Sequence, residues 1–153
     1  MANETLFRGT HSVRVDEKGR LKLPALVKDR LATQYGAEGT YFVTSLTGET
    51  VLIYPLSEWE RIEQILSQAP QFDKLKVKFL FSANRFGAEA AVDEQGRLLI
   101  PGKLREQAGM KGDVTLFWQS NHLEVFSQTR YDAESDQNKL SAEDFENLSK
   151  LGI

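Results

Sequence analysis

The sequence predicts a mainly β fold with flanking helices, in which two pseudo-symmetric halves close one small β-barrel. Residues 15–24, VDEKGRLKLP, return as VDEQGRLLIP at 92–101, with seven of ten positions identical and an offset of 77 in a chain of 153 residues. Such an internal repeat indicates a structure that is built twice. Each half also carries four short strand-like runs, too few to bury a core alone. We therefore expect the halves to share one core, with the helices outside it.

Each half reads in the same order as strand, turn, strand, helix, hairpin and helix. The repeated segment supplies the turn between the first two strands, where Gly19 and Gly96 suit a position with positive φ. β-rich runs around Thr47-Gly48-Glu49, and again around Ser120-Asn121, predict the two hairpins. The predicted strands span residues 12–15, 20–23, 41–46, 51–54, 88–92, 98–100, 114–118 and 122–126.

Helix signals follow the strands at matching places in the two halves. Pro24 and Pro101 each suit a first helical position, because proline has a fixed φ and lacks the N–H that a helix start leaves unpaired. After the first hairpin, Ser57 with Glu60 forms a capping box ahead of apolar residues at helical spacing. This pattern predicts a helix over 57–69.

Two further helices are predicted on different grounds. Residues 73–83 alternate lysine with apolar residues, as a strand would, but Asp73 is a suitable N-cap and the alternation breaks before the end. We favour a helix there. Ser141 with Asp144 forms a second capping-box start, for an amphipathic helix over 141–151. We expect that helix to pack on its own domain or on a neighbouring subunit.

Charge is unevenly distributed along the chain, although the net charge is only −3. Residues 8–30 hold seven basic side chains against three acidic ones, whereas residues 132–150 hold six acidic against two basic. A slightly acidic protein can therefore carry a cationic face in its first half. We divide the chain into a first repeat at 7–70, a second repeat at 71–132 and an acidic tail at 133–153, with the repeats interleaved.

Composition and motifs exclude several classes of protein. Cysteine is absent, which excludes disulfides, thiolate metal sites and thiol nucleophiles. No apolar run is long enough to span a bilayer, and the first residues lack the features of a secretory signal. P-loop, dinucleotide-binding, zinc-protease and nucleophile-elbow motifs are also absent. We expect a cytoplasmic protein that is not an enzyme, without cofactor, metal, membrane partner or small-molecule substrate.

The repeated segment resembles the signature of SpoVT–AbrB domains, and its duplication in one chain resembles the MraZ family more closely. Phe7-Arg8-Gly9 before the first repeat, the segment 52–60 after the first hairpin, and the segment 79–83 before the second repeat also fit that family. The resemblance extends over about residues 7–131. It implies a β-barrel of two swapped-hairpin halves, assembled into ring-shaped homo-oligomers, with a helix at 73–83.

The same resemblance implies a bacterial DNA-binding regulator of transcription. Its partner would be double-stranded promoter DNA in front of a division and cell-wall gene cluster, bound at repeated boxes by a homo-oligomer associated with the nucleoid. The protein could be a transcriptional repressor or an activator, and the sequence leaves both alternatives open. The alternative is a DNA-free, antitoxin-like protein-interaction module, because related barrels serve that role and the acidic tail could dock a basic protein.

The repeat turns have two interpretations. In the structural interpretation, the turn aspartate accepts backbone N–H groups and pairs with the arginine four residues later. The residues concerned are Asp16, Gly19, Asp93, Gly96 and Arg97. We favour this interpretation for the second copy. In the first copy DNA contact is also open, since the resemblance carries DNA binding onto Arg20 and a clamped arginine can still be exposed.

A cationic face around Arg20 is the candidate DNA-binding site. The planar fork of arginine suits phosphate and guanine, whereas lysine acts as a point charge. We predict DNA contact by Arg8, Arg14, Lys18, Arg20, Lys22 and Lys28. A second basic stretch is more typical of a solvated helix face, although it could line the same groove; it comprises Lys74, Lys76, Lys78 and Arg85. The aromatic residues Phe79 and Phe81 within it are predicted to be core or subunit-interface residues.

Overall fold

The computed structural model describes residues 8–37 and 39–153, and its centre is one eight-stranded antiparallel sheet. The strands are β1 (Thr10–Val15), β2 (Arg20–Lys22), β3 (Thr40–Thr44), β4 (Val51–Pro55), β5 (Ala88–Ala91), β6 (Arg97–Leu99), β7 (Gly112–Gln119) and β8 (His122–Ser127). The helices are α1 (Ala25–Tyr35), α2 (Leu56–Ser67), α3 (Lys74–Phe86), α4 (Gly102–Gln107), α5 (Gln128–Gln137) and α6 (Ala142–Leu151). Among these helices, none is long and apolar enough to cross a membrane. All eight predicted strands are present, with ends shifted by at most two residues.

The sheet is nearly closed into a barrel, and the strands of the two halves are swapped around it. The strand order is β5-β3-β4-β8-β7-β1-β2-β6, and the two edge strands β5 and β6 contact each other. β1 pairs with β7 of the second half over six residues, and β5 pairs in the same way with β3 of the first half. The predicted mainly β, swapped-hairpin barrel with flanking helices is thereby confirmed.

One hydrophobic core fills the barrel, and equivalent positions of the two repeats meet in it. Leu21 and Leu98 lie directly opposite each other in β2 and β6, and both are fully buried. Val27 of α1 and Leu104 of α4, which are also 77 residues apart, are fully buried in the same cluster. Burial of each such side chain contributes roughly 1.5–3 kcal/mol. Because both halves supply this core, neither half can form it alone.

A second cluster forms where α2 and α3 cover the outside of the β3–β4 hairpin. The ring of Trp59 lies 4.7 Å from that of Phe42 and 5.0 Å from that of Tyr54, measured between centroids. Phe79 of α3 stacks on the other side of Trp59 at 5.8 Å. The helical prediction for residues 73–83 is confirmed by α3, whose N-cap Asp73 accepts a hydrogen bond from the third backbone N–H after it at 2.9 Å.

Three helices begin at the residue after a proline, not at the proline itself. Pro24, Pro55 and Pro101 are N-caps, since each combines a φ between −53° and −58° with an extended ψ. The predictions that Pro24 and Pro101 are first helical residues are therefore wrong. The predicted capping box of Ser57 and Glu60 is wrong for a related reason: β4 runs directly through Pro55 into α2, so Ser57 already lies in the first helical turn.

The tail helix α6 is built as predicted but is not packed. Ser141 Oγ accepts a hydrogen bond from the Asp144 N–H at 3.1 Å, and Asp144 Oδ2 accepts one from the Ser141 N–H at 2.8 Å, which confirms the capping box. No residue of α6 is buried. Within the part of the chain that the structure describes, the apolar side of this helix is therefore left exposed.

Candidate nucleic-acid interface

Both repeat turns close through the same backbone hydrogen bonds. In turn 1, residues 16–19, the Asp16 N–H donates to the Arg20 carbonyl at 3.0 Å, and the Gly19 N–H donates to the Asp16 carbonyl at 2.9 Å. Turn 2, residues 93–96, repeats these two bonds at 2.9 and 3.0 Å. Gly19 has a φ of 85° and its counterpart in turn 2 a φ of 77°, a left-handed conformation that glycine adopts without a side-chain clash.

The turn aspartates hold the backbone and the arginine together. Asp16 Oδ1 accepts the N–H groups of Lys18 and Arg20 at 3.0 and 2.9 Å, and Oδ2 accepts Arg20 Nε at 2.8 Å. Asp93 makes the matching bonds in turn 2, with Arg97 Nε at 2.9 Å. The arginine backbone N–H, followed by its side chain and charge, holds the pKa of each aspartate below the ordinary 3.8. Both carboxylates are therefore ionised at neutral pH.

This clamp uses only one edge of each guanidinium. Among hydrogen bonds between described residues, the side chains of Arg20 and Arg97 donate from Nε. The two Nη groups of each fork lie beyond the clamp, and both side chains are partly exposed, at 30% and 26%. Because the aspartate already orients the guanidinium, a ligand that binds its Nη groups would cause little further loss of side-chain entropy. A structural role and an outward contact are thus compatible in one residue.

The pairing of β2 with β6 brings both turns to one surface. Arg20 lies opposite Leu99, and Lys22 lies opposite Arg97. Directly opposite residues of an antiparallel pair point to the same side, and the intervening leucines point into the core, so these side chains share the outer side. We name this surface the β2–β6 face, and it is formed by Arg20, Lys22, Arg97 and Leu99.

The β2–β6 face concentrates positive charge. Neither strand contains an acidic residue, and Lys22 and Arg97 are direct cross-strand neighbours of like charge, which destabilises a sheet. The ion pair of Arg97 with Asp93 offsets part of this repulsion. The Lys22 ammonium donates to the carbonyl of Gln95 in turn 2. A phosphate bound over the face would offset the repulsion between the two cations, so the arrangement suits an anionic ligand.

An arginine from the second half holds turn 1 from outside. Arg105 of α4 donates from Nη1 to the Lys18 carbonyl at 2.9 Å and to the Ile100 carbonyl at 3.4 Å. Its guanidinium crosses the turn so closely that a Cβ at Gly19 would lie 1.4 Å from Nη1. The backbone of Lys18 is therefore positioned by the other half, while its side chain is exposed at the tip of turn 1.

Lys28 is the counterpart of Arg105 at the repeat offset, and it lies at turn 2 rather than at turn 1. A Cβ at Gly96 would be 3.5 Å from the Lys28 Cδ atom. The swap explains this position, because the chain leaving β2 runs beside turn 2, where the Leu23 N–H donates to the Gly96 carbonyl at 2.9 Å. The predicted cationic set is thus divided between the two turns.

Arg14 lies beside the β2–β6 face and Arg8 lies apart from it, because the pairing of Val15 with Leu21 sets Arg14 next to Lys22. Arg14 is well exposed on β1, where its Nη1 pairs with Oδ1 of the opposite Asp113 on β7 at 3.1 Å. Arg8 is exposed just before the start of β1, and that strand, about 17 Å long at 3.4 Å per residue, separates it from turn 1. The structure therefore places Arg14 next to the cationic side chains of β2 and leaves Arg8 away from them.

Sequence reasoning missed two residues of this region. Arg97 was assigned a structural role alone, yet it shares the β2–β6 face with Lys22. Arg105 was not singled out, although it crosses turn 1. The repeat offset contained the signal, because it maps Arg20 onto Arg97 and Lys28 onto Arg105. The missing information was the antiparallel pairing of β2 with β6, which sets both turn arginines on one surface.

Comparison with known families gives a match over nearly the whole chain. The family model described as "MraZ protein, putative antitoxin-like" matches residues 6–82 and 87–150. The two matched segments include both repeat turns, the β2–β6 face, both hairpins and the C-terminal helices. The match therefore covers the candidate interface as well as the barrel.

Proteins named Transcriptional regulator MraZ are similar to the chain throughout. The protein of Acidobacterium capsulatum is 45% identical over 148 residues, which are 97% of this chain and 100% of the relative. That of Koribacter versatilis is 38% identical over the same shares of both chains. That of Thermobifida fusca is 37% identical, over 90% of this chain and 93% of its own. The likeness is to whole proteins rather than to one repeat.

Proposed function

The chain belongs to the MraZ family, and we propose that it is a transcriptional regulator that binds double-stranded promoter DNA through the β2–β6 face. The shared name of its relatives supports a role in regulating transcription. DNA contact is supported by three cations on two short paired strands, which leave an excess of one positive charge over the two turn aspartates that pair with Arg20 and Arg97. The target we propose is the promoter in front of a division and cell-wall gene cluster, with the protein in the cytoplasm at the nucleoid.

The observation that carries the proposal is a pair of pre-oriented arginine forks beside a lysine. Asp16 and Asp93 hold Arg20 and Arg97 by Nε, so the Nη groups are presented as donors. Such a fork donates two bonds to O6 and N7 of guanine in the major groove. Lys22 suits a phosphate, which sets register without reading sequence. Lys18 and Lys28 at the two turns extend the phosphate contacts.

One copy offers few contacts, so the proposal includes a homo-oligomer on repeated DNA boxes. Once one copy is bound, each further contact forms at a high effective concentration, which strengthens binding without new interactions. A ring presents equivalent faces side by side in the same sense. Such an assembly matches direct repeats, whereas a two-fold dimer matches a palindrome.

Catalysis has no part in the proposal, and one other function is kept. The turn hydrogen bonds lower the pKa of Asp16 and Asp93, the opposite of what a general acid requires. The second candidate is an antitoxin-like module that binds a protein instead of DNA. It is favoured by the description of the family as antitoxin-like and by the exposed apolar residues of α6.

Two variants test the interface against a matched control. Lys22→Ala should weaken promoter binding and lower the slope of log affinity against log salt by about 0.9, the value for one phosphate contact. Arg20→Ala should cost about 1–3 kcal/mol of binding and relax preference at one base pair. Lys139→Ala removes another exposed lysine, from the tail, where it pairs with Asp136, and should leave binding unchanged.

The measurement is fluorescence anisotropy with a labelled promoter duplex over a range of salt concentrations, with size-exclusion chromatography to establish that each variant keeps its assembly. If Lys22→Ala and Lys139→Ala bind alike, the β2–β6 face is not the interface. If the wild-type protein fails to bind at low salt, regulation by DNA contact is rejected and the protein-binding candidate takes its place.

A further inference from the structure

Helix α6 has an apolar side that no described part of the chain covers. Phe145, Leu148 and Leu151 are spaced by three residues, so they lie along one side of the helix. Phe145 and Leu151 are 58% and 75% exposed. An isolated helix of this length is marginal in water, because most helical stability in proteins comes from packing of the apolar side. The apolar side of α6 therefore requires a partner.

The sequence nevertheless specifies α6 at both ends. The capping box of Ser141 and Asp144 satisfies N–H groups of the first turn, and Gly152 ends the helix with a φ of 92°. Acidic residues in the first turn and Lys150 in the last turn match the helix dipole. These features favour a helix before any partner is bound, which lowers the entropy lost when it docks.

A second exposed surface lies on helix α3. Lys74, Val77, Lys78, Phe81 and Arg85 follow one another at intervals of three and four residues, so they share the outer side of α3, opposite the buried Ala83. Phe81 was predicted to be a core or interface residue, and it is 76% exposed, which excludes the core of this chain. An open groove of about 770 Å³ lies beside it. We name these five residues the α3 face.

The two surfaces are complementary in charge. Helix α3 contains four basic residues and no acidic one, whereas α6 contains three acidic residues and one lysine. Glu143 and Glu146 lie on the side of α6 away from Leu148, so charge steers the approach and the apolar side makes the contact. The stems of lysine and arginine can cover an aromatic ring while their charged ends stay in water. The α3 face therefore suits an acidic amphipathic helix.

We propose that α6 of one copy docks on the α3 face of a second copy, with Phe145 against Phe81 and the groove beside it. This inference rests on the homo-oligomer of the proposed function and names its contact. Both surfaces are exposed at once in each chain. Every copy can therefore dock its α6 on the α3 face of one neighbour while its own α3 face binds α6 of another. Because the two surfaces differ, the contact is head-to-tail, and a closed ring satisfies all of them.

Disulfide trapping tests the contact directly, because the natural chain contains no cysteine. A tagged Phe81→Cys protein is mixed with an untagged Phe145→Cys protein, allowed to exchange subunits and oxidised mildly. The expected product is a disulfide-linked pair with one chain of each kind. The control is Asn147→Cys, two positions along α6 and therefore on the side opposite Phe145. It should give at least about tenfold less product, since a disulfide requires Cα atoms within about 7 Å.

Three results would overturn the docking. The first is equal cross-linking by Phe145→Cys and Asn147→Cys. The second is absence of product from both. The third is a double variant, Phe81→Cys with Phe145→Cys, that closes its disulfide within one chain at high dilution, because α6 would then cover the α3 face of its own copy.

A second variant measures the contribution of the contact to assembly. Phe145→Asp should reduce the mass measured by light scattering toward the 17.3 kDa of one chain, with an unchanged circular dichroism spectrum, whereas Asn147→Asp should keep the wild-type mass. An unchanged mass for Phe145→Asp would overturn the docking even where wild-type DNA binding is intact. If the two cysteine variants cross-link as expected while the wild-type protein binds no promoter, the docking is supported and only the DNA-binding function is rejected.

Discussion

A guanidinium has two separate edges, and the turn arginines use the Nε edge to close their turns. Arg20 and Arg97 each give Nε to the aspartate four residues earlier, at 2.8 and 2.9 Å. An exposed ion pair of this kind contributes little to stability by itself. Its larger effect is geometric, because the carboxylate also accepts two backbone N–H groups and so ties the fork to the turn. A single substitution at Asp16 would therefore disturb both the turn and the arginine.

His122 makes the stability of the second hairpin depend on pH. Its ring stacks on Tyr54 at 4.4 Å between centroids, and burial lowers its pKa from 6.5 to about 4. Between those values the unfolded chain binds a proton that the folded chain does not, so the free energy of unfolding falls as the pH falls. The stabilisation is complete above pH 6.5 and is lost as the pH approaches 4.

His122→Gln should remove that dependence. Urea unfolding of the wild type between pH 7 and 4.5 should show a slope of at most about 1.4 kcal/mol per pH unit from this residue, and the variant should lack it. His11→Gln is the matched control, since that residue lies on β1 away from the stack, and its profile should follow the wild type. Identical profiles for His122→Gln and the wild type would contradict the prediction.

At the scale of the element, the two turns are alike in backbone and unlike in support. Both close through the same bonds, but only turn 1 is crossed by an arginine from the other half, whereas turn 2 has the more flexible Lys28 nearby. The difference predicts that turn 1 is the more rigid of the two. It also gives the glycines unequal surroundings, although their φ values are similar.

Gly19→Ala and Gly96→Ala should therefore differ in cost. Both place a Cβ in the left-handed region, at roughly 1–2 kcal/mol. Gly19→Ala must also displace Arg105 from the Lys18 carbonyl, which should add about 1 kcal/mol. Chemical denaturation of both variants measures the difference. Equal losses would mean that Arg105 contributes nothing to turn 1.

Local sequence patterns were sufficient to predict the strands. They were not sufficient to predict which strands pair with each other. Alternation and turn glycines predicted eight strands, because these signals depend on neighbouring residues. The repeat predicted that the two halves close one barrel. Nothing near Lys22 in the sequence indicates that it lies opposite Arg97, because that pairing depends on the swap of whole hairpins. The spacing of Phe81 likewise predicts an aromatic side of a helix, but it does not predict that the chain leaves that side exposed.

At the scale of the whole molecule, interleaving makes the two halves one folding unit. β1 and β7 pair across the halves, as do β3 and β5, and the fully buried residues of both repeats form one cluster. Separating the halves would expose that cluster and break four strand pairings, β1–β7, β2–β6, β3–β5 and β4–β8, so that eight strand edges would lose their hydrogen-bond partners. We therefore expect one cooperative transition rather than two.

The two tryptophans report on the two halves separately. Trp59 lies in the first half and Trp118 in the second, and both are buried. In Trp59→Phe and in Trp118→Phe, the fluorescence of the remaining tryptophan should change at the same urea concentration as the far-ultraviolet circular dichroism of the same variant. A fluorescence transition that precedes the loss of secondary structure in either variant would mean that one half unfolds alone.

The repeat is imperfect at one position of the β2–β6 face, and this difference would affect the orientation in which the face binds a DNA duplex. Leu99 stands 77 residues after Lys22, so one end of the β2–β6 face carries Lys22 and Arg97, whereas the other carries Arg20 and the apolar Leu99. A face with two identical ends would bind DNA equally well in either orientation. With a phosphate-seeking end and an end suited to a thymine methyl group, each bound copy would point the same way along the strand, and the assembly would distinguish upstream from downstream.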